Sequence, residues 1–134
     1  VHATGYEDLA AGIDILHAEL TYPGMGPVIV TGGWHHPKSF PFSMEFTIVT
    51  DKGTLEWSSA NTRGLEFFGR DGESSVLPLE EIDPFEAELR YFTECVQEGR
   101  PPGLCPPEQS AQAVVLMRFM LESRARNGKV IETS

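Results

Sequence analysis

The spacing of apolar positions changes once along the chain. In the first two-thirds apolar and polar residues alternate, and in the last third the apolar residues recur every three or four positions. Residues 13–22 set Leu16, Ala18, Leu20 and Tyr22 against His17, Glu19 and Thr21, the period of a half-buried strand. Pro23-Gly24-Met25-Gly26 predicts a turn and Val28-Ile29-Val30-Thr31 a returning strand, so residues 14–34 read as a hairpin. Gly32 and Gly33 before Trp34 mark a bulge or a strand end. Residues 35–41, His-His-Pro-Lys-Ser-Phe-Pro, read as a loop. Residues 42–50 then alternate Phe42, Met44, Phe46 and Ile48 with Ser43, Glu45 and Thr47. Asp51-Lys52-Gly53 is a tight turn, and residues 54–58 pair back. A third hairpin joins residues 65–68 to 75–79 through Arg70-Asp71-Gly72, with Pro78 placing the last strand at an edge or near its end. The opening residues also have strand character.

Asp83 then predicts a helix N-cap, with Pro84 as the first helical residue and Glu86 in the first turn at the capping-box position. Phe85, Leu89, Phe92 and Val96 form an apolar stripe of the kind that faces a core. Gly99 and Pro101-Pro102 end this helix, and residues 101–107 make a stiff proline-rich connector. A second helix starts at Pro107-Glu108 and runs to about Asn127, stopped by Gly128. Its Ala111, Val114, Val115, Leu116, Phe119 and Leu121 predict a well-buried helix, and residues 129–132 a short strand. Strands followed by helices predict an α+β domain. The expected form is a largely antiparallel, open-faced sheet of five to six strands, with two C-terminal helices packed on one face. The opposite face would carry alternate residues such as Ile15, His17, Ile29, Leu55 and Trp57, with alternation alone leaving open which set points which way; if that face is even partly apolar it needs a partner, either a missing domain or a second copy.

The chain's 134 residues are the size of one domain, residues 1–134, with enough length to bury a core unaided. No apolar run approaches the roughly 18–20 residues of a membrane span. A net charge of −10 is a poor match for nucleic acid or an anionic membrane. Starting at Val1, in strand-like sequence and without a signal peptide, the chain reads as a piece of a longer protein; a processed N-terminus is the other reading. Cys95 and Cys105 read as free thiols of a cytoplasmic protein, though a bridge across the helix end is geometrically open. Their spacing to His2, His17, His35 and His36 is not that of a zinc site.

No glycine-rich phosphate loop, Gly-x-Ser-x-Gly elbow or His-Glu-x-x-His pair is present. The most conspicuous polar cluster is Trp34-His35-His36-Pro37-Lys38, whose imidazoles could polarise a hydroxyl or bind a carboxylate, or simply face solvent. His17, mid-strand near Asp14 and Glu19, is either a hydrogen-bonded sheet histidine or a site residue. Trp34, His35, His36, Lys38 and His17 are therefore the candidate substrate contacts, with no catalytic, cofactor-binding or metal residue assigned. Arg63 is either an anion partner or a solvated loop arginine. Glu80, Glu81 and Asp83 read as a solvated face plus a helix cap.

The order of these pieces resembles a known family. It is carried by Gly33-Trp34 through Pro37 to Phe42, by Phe46 to Gly53-Thr54-Leu55-Glu56, and by Asp83-Pro84-Phe85 with Glu88-Leu89-Arg90-Tyr91-Phe92 and Gly99-Arg100-Pro101. Cys105-Pro106-Pro107-Glu108-Gln109-Ser110-Ala111, leading to Glu122-Ser123 and Gly128-Lys129-Val130, completes it. Together they resemble the C-terminal domain of the glucose–fructose oxidoreductase and inositol dehydrogenase family (Gfo/Idh/MocA), over nearly the whole chain. The resemblance implies a parent enzyme whose N-terminal Rossmann domain binds NAD or NADP. It implies that this domain closes over a sugar- or cyclitol-like alcohol, and that its sheet builds a homo-oligomer. The family's glycine fingerprint and Glu-Lys-Pro lysine are not in this chain, and neither His2 nor His17 has the Asp four residues before it that the family's catalytic pair requires. On this reading the isolated chain holds no cofactor and does not turn over. Two other readings stay open: a non-catalytic assembly module that dimerises through the open sheet face, and a small self-contained enzyme using His17 or His35 with a carboxylate.

Overall fold

The computed structural model describes residues 1–79 and 82–133. Among the described residues seven strands precede two helices, an α+β arrangement with antiparallel sheets. The strands are β1 (His2–Asp8), β2 (Ile13–Leu20), β3 (Val28–Trp34), β4 (Glu45–Val49), β5 (Gly53–Ser58), β6 (Leu65–Gly69) and β7 (Ser74–Leu77). The helices are α1 (Pro84–Glu98) and α2 (Pro107–Ala125). The expected single sheet of five to six strands is instead two sheets, β1-β2-β3 and β4-β5-β6-β7. The connection between β3 and β4 carries Pro37 and Pro41, which have no backbone N–H to donate to a ladder. The chain divides into two compact units, one of residues 1–39 and 95–134, the other of residues 40–94.

In the first unit α2 covers one face of the three-stranded sheet. The register pairs Ala3 with Ala18 and Ala18 with Val30, which sets Ala3, Leu16, Ala18 and Leu20 on a common face. Ala3, Ala18 and Leu20 are buried there with Met120, and Val1, Leu16 and Leu116 pack around them. Leu116, Met120 and Ser123 follow helical spacing, so they form the helix stripe that meets the sheet. The rest of α2 is less buried than its composition predicts, with Val114, Val115 and Leu121 exposed. A single sheet layer meets only one stripe of a helix, and these positions lie off that stripe. Residues 129–132 do not form a strand. Val1 and Ile131 nevertheless exchange both backbone hydrogen bonds, at 2.8 Å each, as a single antiparallel pair.

The second unit holds the four-stranded meander. Its register puts Phe46, Ile48, Leu55, Trp57, Leu65, Phe67 and Leu77 on one face. Phe46 and Trp57 stack across β4 and β5 with centroids 5.9 Å apart. The β4 ladder is shorter than the alternation from residue 42 suggests. Arg70 ties two hairpin turns together, donating to the carbonyls of Asp51 and Thr50 at 2.7 and 2.9 Å.

Helix α1 starts at the Asp83 cap and stops at Gly99 as the sequence predicts, with the Glu86 carboxylate paired with Arg90, while α2 ends at Ala125, two residues before the expected Asn127. The Asp83 carboxylate accepts from the N–H groups of Phe85 and Glu86 at 2.9 and 3.0 Å. Gly99 is left-handed, with φ 63, and the bonds Arg100 N–H to Cys95 C=O and Gly99 N–H to Val96 C=O close a Schellman motif. The α1 stripe of Phe85, Leu89, Phe92 and Val96 is exposed, so the expectation that both helices pack on a sheet face holds for α2 alone. Among the described residues no helix is long and apolar enough to cross a membrane. Of the Glu80, Glu81 and Asp83 cluster, only Asp83 lies within the described residues.

Candidate functional site

Because β1, β2 and β3 pair in register, one sheet face is built by alternation alone. Thr4, His17 and Thr31 stand opposite one another on the face turned away from α2, with Tyr6, Ile15, Glu19 and Ile29 on the same side. Tyr6 and Ile29 are 59% and 75% exposed. At the centre, His17 Nδ1 lies 3.0 Å from Thr31 Oγ1. Asp14, near His17 in sequence, falls on the other face, because strand residues an odd number apart diverge. There its carboxylate meets Arg124 at 2.5 Å. No His17–Asp14 pair forms.

Trp34 ends β3 opposite Asp14, so it occupies the α2 side and His17 the other. It is 72% exposed. His35 and His36 follow in the loop, and although adjacent in sequence their rings come within 4.1 Å, tilted by 38°. Lys38 is exposed. The five candidate contacts thus divide into a contiguous run from the end of β3 into the following loop, Trp34 to Lys38, and His17 alone on the other sheet face. Arg63 is paired with Glu66 at 3.3 Å rather than free for an anion.

The most completely built polar site was not legible as one. Ser123 is fully buried; its Oγ accepts from the Ala3 N–H at 2.8 Å and donates to the Lys129 carbonyl at 2.7 Å. Beside it Arg124, 12% exposed in its side chain, reaches Glu7 at 2.8 Å as well as Asp14. This cluster joins β1, β2, the end of α2 and residues 129–131. The signal that could have found it is Ser123 itself, a polar residue three positions after Met120 on the buried stripe. The site fastens the fold and holds no unpaired nucleophile.

Both cysteines are free: Cys95 is buried and receives a hydrogen bond from Arg100 at 2.9 Å, and Cys105 is exposed. Among the described residues no three His, Cys, Asp or Glu side chains are placed to hold a metal ion. Comparison with family models, curated proteins and solved structures finds no match.

Proposed function

We propose that this chain is the substrate-side and assembly domain of an NAD(P)-dependent oxidoreductase that acts on a sugar- or cyclitol-like alcohol. The dinucleotide and the catalytic lysine belong, on this reading, to a separate Rossmann domain. The observation that carries it is the coincidence of elements with the resembling segments. The Asp83-Pro84-Phe85 segment opens α1, Gly99-Arg100-Pro101 closes it, and Pro107 and Gly128 bracket α2. The two-sheet arrangement departs from the large single sheet that the resemblance implies. The run of Trp34, His35, His36 and Lys38 is the proposed substrate contact, its imidazoles and ammonium offering donors to hydroxyl oxygens. The His17 face of the three-stranded sheet is the proposed assembly surface.

Calorimetric titration of the chain with NADH and with NADPH tests the division of labour. The expected result is no saturable heat with either; tight binding to the isolated chain sinks the proposal. The open His17 face also favours a second reading, an assembly module without an enzyme parent. The coding sequence upstream of Val1 separates the two. The oxidoreductase reading requires a Gly-x-Gly-x-x-Gly segment and a Glu-Lys-Pro segment there.

A further inference from the structure

The end of α2 calls for two successive left-handed residues. Asn127 has φ 55 and Gly128 φ 80, and they close a second Schellman motif: Asn127 N–H donates to Arg124 C=O at 3.0 Å and Gly128 N–H to Ser123 C=O at 2.9 Å. A side chain at position 128 would be strained at that φ, and its Cβ would come within 2.9 Å of His2 Nε2 and 3.2 Å of Thr4 Cγ2. The fold therefore favours an asparagine followed by a glycine. That dipeptide is also the one most prone to react with itself, because no Cβ shields the glycine nitrogen. Of the chain's two asparagines, only Asn127 has this neighbour.

We propose that Asn127-Gly128 is a self-modification site, held back by the helix terminus, whose product releases the residues that fasten β1. In the reaction the Gly128 backbone nitrogen loses its proton and bonds to the Asn127 side-chain carbonyl carbon, and ammonia leaves. Water then opens the cyclic imide at one carbonyl or the other, giving aspartate or isoaspartate; nothing is oxidised or reduced. Asn127 is exposed and open to water. In the folded chain the attacking nitrogen is engaged, its N–H donated to Ser123 C=O. Reaction requires that bond to open, so its rate follows the population of the opened terminus. Isoaspartate inserts one methylene into the main chain immediately before Gly128. A Cβ at that position would meet the His2 and Thr4 side chains, so a shift of the main chain there presses on β1. The next links along the chain, Ser123 Oγ to Lys129 C=O and the Val1–Ile131 pair, then lose register.

The test incubates the chain in mildly alkaline buffer, folded and in unfolding urea, and follows residues 126–129 by peptide mapping that separates aspartate from isoaspartate. The folded chain is expected to convert at least about tenfold more slowly, the ratio produced by an opening cost of about 1.4 kcal/mol. Hydrogen exchange on the separated isoaspartate form should then show lost protection at Ala3 and Ile131, with Ala18 unchanged. The Asn127→Asp variant, which lacks the extra methylene, should keep that protection. Equal rates in the two states, no conversion even in urea, or an isoaspartate form that keeps Ala3 and Ile131 protected would each overturn the proposal.

Discussion

A hydroxyl on the buried stripe of a helix costs free energy unless its hydrogen-bonding capacity is used. Ser123 uses both roles, accepting from the Ala3 N–H and donating to the Lys129 carbonyl, and Ala3 is itself fully buried. Ser123→Ala removes one small atom and leaves the Ala3 N–H without a partner and without access to water. We expect a loss of about 2 kcal/mol, read as a lower urea midpoint at unchanged slope. A loss of a few tenths would show that the hydroxyl is incidental and that apolar packing around Met120 holds β1. Arg124 stands beside Ser123 in a different environment. Its partners Glu7 and Asp14 are substantially solvent-exposed, so its ion pairs add about 1 kcal/mol or less and weaken with salt. Of these two neighbours, the uncharged Ser123 contributes more.

At the scale of elements, the stop and start signals were the most legible part of the sequence. Asp83, Pro84, Gly99 and Gly128 act through bonds within a turn or two of themselves, and each lies where its chemistry predicts. The hairpins are equally local: Gly72 at φ 89 turns β6 into β7, and Gly24 at φ 76 helps carry β2 into β3. The joining of hairpins into sheets was not legible, because pairing between β3 and β4 depends on a ten-residue connection whose path the alternation of side chains does not encode. Face assignment was legible only in part. Alternation put Ile15, His17 and Ile29 on one face, but that α2 would cover the opposite one follows from Ser123 and Met120, residues distant in sequence from the strands. The candidate site fared similarly: the Trp34 to Lys38 run is contiguous and visible, whereas the Ser123 cluster spans the chain ends. The local signals are also the ones easiest to test. Asp83→Ala should remove about 1 kcal/mol from the stability of α1 by freeing the N–H groups of Phe85 and Glu86. Loss of exchange protection confined to the first turn would mark the cap as local, and an unchanged first turn would show that Pro84 alone starts the helix.

For the molecule as a whole, the question is how an acidic chain keeps a sheet face bearing Tyr6, Ile15 and Ile29 around the polar Thr4, His17 and Thr31 in water. With a net charge of −10, two copies repel at long range, yet the His17 face carries only one carboxylate among its central residues, Glu19, beside Tyr6, Ile15 and Ile29. Covering that face would remove from water side chains worth about 2 kcal/mol each, set against repulsion that salt screens. If this is the assembly surface, self-association should strengthen as ionic strength rises, the reverse of an interface held by ion pairs. Sedimentation velocity at low and high salt reads the sign directly. The variant Tyr6→Glu with Ile29→Glu places two further carboxylates on the face without touching Ala3, Ala18 or Met120 beneath it. It should sediment as a monomer at every salt concentration while its circular dichroism stays unchanged. A wild-type chain that remains monomeric at high salt would remove self-assembly through this face. So would a variant that associates as the wild type does, leaving the proposed Rossmann partner as the surface's other use.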